Sequence, residues 1–401
     1  MLNVFFGGKH IGSFRLARFL GETEDYNRIV QKDDELSRKN VPVDNKDRLA
    51  DNVSGSLITL VYFRRLAMIR IGITGLGFMG MMHYLSYQNI KDAKVTAICE
   101  VLPERRTGDW TKIKGNFGPQ GTQTDLTGIN TYAELPQLLA DPNVDLVDIC
   151  LPPGAHAAAA VAAFNAGKHV LSEKPIALKI ADADVMVAAA EKNKKLFFVG
   201  HVLPFFTAYA FVYDALKTNK YGALLGGHFN RVISDPVWLK NFYDMNFIGG
   251  PLLDLHIHDA HFIRLLFGMP KSVQSVGRLR GEVPEYFSTQ FIFGNPALVV
   301  TSNSGCIFQQ GRPFMANYEV HFEKATLLSD GTVLTEDGKV EQMQLPDLDE
   351  IGVFTNELTE VINSVKADRP SAILGGQLAR DALAIALKEM ESVQKQRAVA
   401  V

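Results

Sequence analysis

From residue 68 onward, short apolar runs alternate with stretches of helical period. The first run, MIRIGITGLG at residues 68–77, is rich in isoleucine and ends in glycines, which is typical of a buried strand. Residues 81–89 predict a helix. The next run, KVTAICE, is apolar on both faces, as expected for a strand of a parallel sheet that is covered by helices on both sides.

The same alternation continues to His201. VDLVDICLP predicts a strand, and HAAAAVAAFNAGK predicts an alanine-rich helix that ends at Gly167 as its left-handed cap. HVLSEKP, ADADVMVAAAEKN and LFFVGH then add a strand, a helix and a strand. This β-α-β order is the signature of a doubly wound parallel sheet, so residues 68–200 are predicted to form an α/β domain of Rossmann type.

After His201 the pattern changes. Short strand-like runs are joined by Gly, Pro and Asp-Gly turns, which favours a mostly antiparallel sheet. Helices are predicted at residues 251–267, 354–366 and 376–396. Residues 201–401 are therefore predicted to form a second α/β domain with an open, mostly antiparallel sheet.

Residues 1–67 do not fit either pattern. A weak apolar start is followed by a charged middle, and the pair Arg64-Arg65 comes after an apolar run rather than before it, unlike a secretory signal. We interpret the segment as a poorly ordered extension, or as sequence upstream of a true start at Met68.

Composition narrows the choice of partners and location. The net charge of -3 offers no basic footprint for nucleic acid, and no apolar run approaches the roughly 20 residues that span a bilayer. The three cysteines, Cys99, Cys150 and Cys306, are widely spaced and are expected to be reduced thiols. We therefore expect a cytoplasmic protein that binds neither nucleic acid nor membrane.

The first chemical motif is the run Gly75-Leu76-Gly77-Phe78-Met79-Gly80, which follows a strand and opens a helix. In this context the glycines let the backbone approach a pyrophosphate, which lies at the positive end of the helix dipole. The motif predicts a dinucleotide site that includes Gly75, Gly77, Phe78, Met79 and Gly80.

Glu100 ends the second strand, where it would accept hydrogen bonds from the adenosine ribose and repel a 2′-phosphate. It therefore favours NAD over NADP. Arg105 and Arg106 lie close enough in sequence to serve a phosphate instead, so NADP stays possible, although a solvated first helical turn is the preferred interpretation of this pair.

The second motif, Glu173-Lys174-Pro175, ends a strand at the carboxyl edge of the sheet, where open α/β folds bind ligands. Lys174 could reach both a cofactor and a substrate hydroxyl there.

The third motif lies on the helix predicted at residues 251–267. Asp254, His258 and His261 are spaced i, i+4, i+7 and should share one face, an arrangement in which the acid orients an imidazole. His256 should point elsewhere. A metal site is the rival interpretation, with carboxylate and imidazole ligands, but we predict none because helical geometry separates the candidates. The candidate ligands are Asp254, His256, His258, Asp259 and His261.

These segments together resemble the glucose–fructose oxidoreductase / inositol dehydrogenase / MocA (Gfo/Idh/MocA) family. The resemblance is carried by GITGLGFMG, DICLPPGAHAAAAVAAFNAGKHVLSEKPIAL and GGPLLDLHIHDAHFIRLLFG, and it runs from Met68 to near the C-terminus. It implies a Rossmann domain that binds NAD, followed by a domain whose open sheet often forms dimer or tetramer contacts.

The resemblance also implies roles for individual residues. Lys174 corresponds to the active-site lysine, Asp254 to its helper carboxylate and His258 to the catalytic acid/base, while Pro152, His156 and Glu173 correspond to positions that line the cofactor. Two departures stand out. Pro204-Phe205-Phe206 replaces a common arginine-phenylalanine pair, and His256 replaces a common glycine.

The expected activity is hydride transfer between a nicotinamide and a secondary alcohol of a sugar, cyclitol or related polyol, by a homo-oligomer. Two alternatives stay open on the same scaffold. One is an NAD-dependent glycoside hydrolase that recycles its cofactor, and the other is a non-catalytic, dinucleotide-binding regulator.

Overall fold

The structure is a computed structural model that describes residues 68–401 and the backbone of two strands near the N-terminus, β1 (Leu2–Phe6) and β2 (Lys9–Phe14). These two strands pair antiparallel within a unit of their own, Met1–Arg64. The rest of residues 1–67 lies outside the described residues. The expectation that this extension is poorly ordered therefore stays a prediction.

The second unit, Arg65–Val401, begins with a six-stranded sheet in which every pair is parallel. The strand order is β5-β4-β3-β6-β7-β8, so the order reverses between β3 and β6. This is the doubly wound sheet that the sequence predicts, and its switch point is where such folds bind ligands. The strands are β3 (Ile69–Thr74), β4 (Ala93–Cys99), β5 (Asn130–Tyr132), β6 (Leu146–Ile149), β7 (His169–Glu173) and β8 (Phe197–Gly200).

The strands of this sheet are buried because helices cover both of its faces. Gly167 follows the fourth of them with φ +76°, which confirms the predicted left-handed cap. The first helix starts three residues earlier than predicted, since the glycine motif itself opens it. The helices are α1 (Phe78–Tyr87), α2 (Pro103–Arg106), α3 (Leu135–Leu139), α4 (His156–Asn165) and α5 (Ile180–Lys192).

The second sheet has nine strands in the order β16-β15-β14-β13-β9-β12-β11-β10-β17. All of its pairs are antiparallel except β9 with β12, which are parallel. The prediction of a mostly antiparallel sheet is confirmed. Its strands are β9 (Leu224–Ser234), β10 (Ser272–Arg280), β11 (Val283–Ile292), β12 (Val299–Ile307), β13 (Met315–Phe322), β14 (Ala325–Leu328), β15 (Thr332–Thr335), β16 (Val340–Gln342) and β17 (Val399–Ala400).

The helices of the second half connect the two sheets. The last two carry apolar faces into cores that also contain residues of the parallel sheet, such as Ile71 and Val147. The division at residue 200 therefore separates sheets rather than cores, and the two-domain boundary stays a prediction. These helices are α6 (Thr207–Lys217), α7 (Ile257–Phe267), α8 (Glu350–Ala367) and α9 (Gly376–Lys395).

The helix predicted at residues 251–267 has a different geometry at its start. Leu252–His256 form a π-helical turn, and α7 follows from Ile257. Such turns often occur at functional sites, and this one changes the spacing that a regular helix would impose on Asp254.

Within the described part of the chain, none of the helices is long and apolar enough to cross a membrane.

Candidate active site

The glycine motif forms a tight turn between β3 and α1, and each of its three glycines has its own steric reason. Gly75 has φ +88°, and a Cβ there would lie 2.6 Å from the carbonyl oxygen of Cys150. A Cβ on Gly80 would lie 2.0 Å from the carbonyl oxygen of Gly75, so this glycine allows the helix to pack closely on the turn. Gly77 alone faces open space, with nothing within 4 Å of an added Cβ.

The N-terminus of α1 is free to receive an anion. Its N-cap is Gly77, no side chain caps it, and its first turn holds no acidic residue. Phe78 and Met79 line the cavity beside it. Backbone N–H groups at the positive end of a helix dipole and an open approach at Gly77 fit the pyrophosphate of a dinucleotide.

Glu100 lies at the end of β4, where the sequence places it, and it is almost completely buried. Its carboxylate accepts hydrogen bonds from the backbone N–H groups of Leu76 at 2.7 Å and Leu102 at 2.9 Å. It therefore holds the glycine turn directly, a contact that sequence reasoning missed. Its place among the lining residues still leaves it able to accept a further hydrogen bond from a ribose hydroxyl.

Arg105 and Arg106 do not form the solvated turn that the sequence favours. Arg105 donates to the carbonyl oxygen of Leu76 at 2.8 Å, and Arg106 donates to the carbonyl oxygen of Glu100 at 2.6 Å. Both guanidinium groups fold back on the loop because its carbonyl oxygens lack other donors. Arg105 also lines the cavity, close to Glu100.

One cavity of about 830 Å³ connects the glycine turn to the Glu173-Lys174-Pro175 motif. Its wall brings together most of the residues that the sequence singles out. These are Gly75, Gly77, Phe78, Met79, Glu100, Pro152, Glu173, Lys174 and Asp254.

His156 lies behind this wall rather than on it. Its ring is fully buried, with Nδ1 3.0 Å from the carbonyl oxygen of Pro175 and Nε2 2.8 Å from that of Leu151. The imidazole therefore connects the two loops that form the wall, and the expected contact of His156 with the cofactor stays a prediction. Gly80 is likewise buried under the turn.

Lys174 and Asp254 meet at the end of the cavity, although they are 80 residues apart. The Lys174 ammonium donates to the Asp254 carboxylate at 2.9 Å and to its backbone carbonyl oxygen at 2.7 Å. The π-helical turn leaves that carbonyl oxygen available to the lysine. The acid therefore holds the lysine, whereas the sequence predicts that it orients the imidazole of His258.

His258 starts the regular part of the helix and is partly buried. Its Nδ1 atom is buried without a hydrogen-bond partner among the described residues. Burial, together with the positive charges of Lys174 and Arg231, lowers the pKa of His258 well below its ordinary value. The imidazole is therefore neutral at pH 7 and is able to accept a proton.

Two further histidines surround His258. His201 and His261 stack with ring centroids 4.0 Å apart, and His201 also makes an edge contact with His258. Burial lowers the pKa of His261 to about 3 and that of His201 well below its ordinary value. The three imidazoles thus form a neutral cluster, and His261 belongs to its packing, with Nε2 2.9 Å from the carbonyl oxygen of Ile373.

His256 points away from this cluster, as predicted, but it is not a free surface residue. Its Nδ1 lies 2.7 Å from the hydroxyl of Ser304 and its Nε2 lies 2.8 Å from the carboxylate of Glu389, both fully buried. Burial alone would lower the pKa of His256, but the Glu389 carboxylate outweighs that effect and raises it. The departure from glycine therefore supports an ion pair between the π-helical turn and α9.

The rival metal interpretation is not supported by the partners of the five candidate ligands. Asp254 binds Lys174 and Asp259 makes two hydrogen bonds to the buried Arg231. His256 and His261 are committed to Glu389 and to a backbone carbonyl. Within residues 68–401, four of the five side chains therefore have separate partners, and His258 is the exception.

A buried polar cluster beneath the cavity escaped sequence reasoning. His83, on α1, lies between the carboxylates of Asp148 at 2.9 Å and Glu173 at 3.1 Å. The thiol of Cys150 lies 3.5 Å from the same ring, and His83, Asp148 and Cys150 could together offer ligand atoms to a metal ion. The only signal in the sequence is that a histidine and an aspartate occupy positions of otherwise apolar faces.

Comparison with known proteins agrees with this geometry. A model of an oxidoreductase family with an NAD-binding Rossmann fold matches residues 69–201, and the model of the GFO/IDH/MocA C-terminal domain matches residues 209–328. The chain belongs to the Gfo/Idh/MocA family. The first matched region contains all six strands of the parallel sheet, the second contains β9 to β14 of the other sheet, and both follow Met68.

Individual members of the Gfo/Idh/MocA family are similar over different lengths. A myo-inositol 2-dehydrogenase of Thermotoga maritima is 30% identical over 201 residues, which are 50% of this chain and 55% of the relative. The chain spans about half the length of the curated relatives it matches.

Solved structures share the fold over nearly their full length. Levoglucosan dehydrogenase in complex with NADH and levoglucosan has a TM-score of 0.71 at 19% identity, covering 83% of this chain and 99% of that one. An apo scyllo-inositol dehydrogenase from Lactobacillus casei has a TM-score of 0.66 at 22% identity, covering 83% and 98%. These likenesses show that the Gfo/Idh/MocA chain has the same two-sheet architecture.

Proposed function

We propose that this protein is an NAD-dependent dehydrogenase that oxidises a secondary alcohol of a sugar, cyclitol or related polyol. The observation that carries the proposal is the Lys174–Asp254 pair, which closes the same cavity that opens at the glycine turn. A dinucleotide with its pyrophosphate at Gly77 would extend toward this pair, and a substrate hydroxyl would meet it there.

The nicotinamide, when bound, supplies the hydride acceptor or donor. Lys174 donates a hydrogen bond to the substrate oxygen and stabilises the negative charge that develops on it, while Asp254 keeps the ammonium in place. His258, which is neutral, takes the hydroxyl proton. The named relatives that act on inositol support a polyol as the substrate class.

The cofactor is NAD in this proposal, because the buried Glu100 carboxylate lies where a 2′-phosphate would approach. Arg105 is the one lining residue that could favour NADP, but it donates to the carbonyl oxygen of Leu76 and lies 3.8 Å from Glu100.

A homo-oligomer and a cytoplasmic location are part of the proposal. The nine-stranded sheet buries one face against helices, and its other face exposes apolar side chains that a second copy could cover, among them Val276, Tyr286 and Ile292. The three cysteines are free thiols, as expected in a reducing compartment.

Incubation of the protein with NAD⁺ and a panel of polyols tests the activity. We expect NADH fluorescence to accumulate in proportion to product. Hydrolysis of a glycoside without net NADH would favour the cofactor-recycling hydrolase, and binding of NAD⁺ without turnover of any polyol would favour a regulator.

The pH dependence of the same reaction provides a second test. The base must be neutral, and the pKa of His258 lies well below its ordinary value of about 6.5. The rate of oxidation should therefore show no loss as the pH falls through 6.5 and should decrease only at lower pH. A loss centred near 6.5 would exclude His258 as the base in this environment.

A further inference from the structure

The floor of the cavity holds an unusual concentration of buried ionisable groups, which we call the acid cluster. It consists of His83 on α1, Asp148 on β6, Glu173 at the end of β7 and Glu357 on α8. All four residues are at most 7% exposed. Buried charges are costly unless they are paired. The net charge of the cluster therefore determines the sign of the electrostatic potential in the adjoining part of the cavity.

His83 is the one basic residue of the acid cluster. It lies between two carboxylates, 2.9 Å from Asp148 and 3.1 Å from Glu173. A protonated imidazole carries a single positive charge, so the two carboxylates outweigh His83 in either of its protonation states.

The remaining groups around the cluster are neutral. Both oxygens of Glu357 are buried without a hydrogen-bond partner among the described residues, and burial beside the Glu173 carboxylate raises its pKa well above the ordinary value. Burial also raises the pKa values of the Cys150 thiol and the Tyr87 hydroxyl. The acid cluster therefore has more carboxylates than basic groups and is negative overall.

Glu173 brings this charge to the cavity. It lines the wall next to Lys174 and its carboxylate accepts the backbone N–H of that residue at 3.1 Å. The ammonium of Lys174 does not cancel the charge, because its own partner is the carboxylate of Asp254. The end of the cavity at which the lysine lies is therefore negative overall.

We propose that the Glu173 carboxylate, buried beside His83, makes the site bind the oxidised nicotinamide in preference to the reduced one. This inference rests on the proposed function, which puts the nicotinamide at the Lys174 end. The ring of NAD⁺ carries a positive charge that NADH lacks, so a fixed negative charge stabilises only the oxidised form. The cluster would thereby favour the cofactor form that the oxidation of an alcohol consumes.

The ratio of the dissociation constants for NAD⁺ and NADH tests the inference, with both measured on the full chain by fluorescence or calorimetric titration. Glu173→Gln keeps the acceptor for the Lys174 N–H and removes the charge. We expect the substitution to weaken the binding of NAD⁺ by about tenfold more than the binding of NADH, which is the effect of one charge at several ångströms in a partly polar site.

Glu389→Gln is the matched control. It also removes a buried carboxylate paired with a histidine, but it lies outside the cavity lining, so the ratio should not change. If Glu173→Gln does not fold, Asp148→Asn removes the other carboxylate of the cluster and should shift the ratio in the same direction.

Each result has a distinct meaning. A folded Glu173→Gln variant that binds both cofactor forms with the wild-type ratio would overturn the inference and leave the dehydrogenase proposal standing. An equal shift in Glu389→Gln would also overturn it, because the effect would then not depend on the cavity. Failure of the wild-type chain to bind either form would instead contradict the proposed function.

Discussion

The two ends of the cavity are built in different ways. At one end, the glycine turn, α1 and Glu100 come from a short stretch of chain, and backbone groups are the proposed contacts of the cofactor. At the other end, Lys174 and Asp254 come from segments 80 residues apart, and their side chains are the proposed source of the chemistry. The first end depends on what a chain segment sterically allows, whereas the second depends on which partner each side chain meets.

Three histidines of one helical segment illustrate the difference. His256, His258 and His261 lie within six residues, yet the pKa of the first is raised and the pKa values of the other two are lowered. Glu389 accounts for the first shift, while burial near Lys174 and Arg231 accounts for that of His258. The same residue type thus belongs to a buried ion pair at one position and is kept neutral at another, where we propose that it transfers a proton.

The largest effect should come from the side chains at the Lys174 end. Lys174→Ala and His258→Ala should each lower kcat by roughly 10²–10⁴-fold, because each removes a positioned acid, base or oxyanion partner. NAD affinity should change little in His258→Ala. Steady-state kinetics and cofactor titration measure both quantities, and Lys179→Ala, an exposed lysine near the same loop, is the control. Full activity in either active-site variant would refute the assignment.

His256 provides the next largest effect, on stability rather than on catalysis. His256→Ala leaves the carboxylate of Glu389 buried without its partner, which should lower the free energy of unfolding by about 3–5 kcal/mol. The kcat of the folded variant should stay near wild type. Thermal or urea unfolding checks the first expectation, and a stable variant with lost activity would reverse the roles of His256 and His258.

The loss of stability on substitution of His256 should depend on pH in a definite direction. Because the folded pKa of His256 is raised, its contribution is fully present below the unfolded value of about 6.5 and is lost as the pH rises through the folded value. The stability difference between wild type and His256→Gln should therefore be largest at mildly acid pH and should decrease in alkaline buffer.

Cofactor affinity at the glycine turn should depend on side-chain volume and not on charge. Gly77→Val fills the open space at the N-terminus of α1 and should weaken NAD binding by about 1–3 kcal/mol, the usual cost of overpacking. Both NAD and NADP should be affected equally. Gly154→Val, at a glycine that also faces open space but does not line the cavity, should bind NAD normally.

The smallest effect concerns cofactor choice. NAD should bind more tightly than NADP. Glu100→Gln should reduce the ratio of the two affinities by roughly tenfold, which is the effect of removing one charge near a phosphate. Calorimetric titration with both cofactors decides this. Tighter binding of NADP to the wild-type chain would show that Arg105 and not Glu100 determines the preference.

Local steric rules explain what could be predicted from the sequence. The alternation of apolar runs and helical periods predicts both sheets, and the three glycines predict the turn because only glycine tolerates the close contacts at residues 75 and 80. The positions of Glu100 and Lys174 at the cavity follow from the rule that ligands bind at the carboxyl ends of parallel strands.

Tertiary structure alone decided which side chains meet. The π-helical turn at Leu252–His256 directs Asp254 to Lys174 and not to His258. No periodicity in the sequence predicts this turn. His83 on α1 meets Asp148 on β6 and Glu173 on β7, and Glu357 joins them from a helix more than 180 residues later in the chain. A sequence pattern specifies which face of an element is buried, but the partner of a buried charge, and with it the charge state, depends on the packing of distant segments.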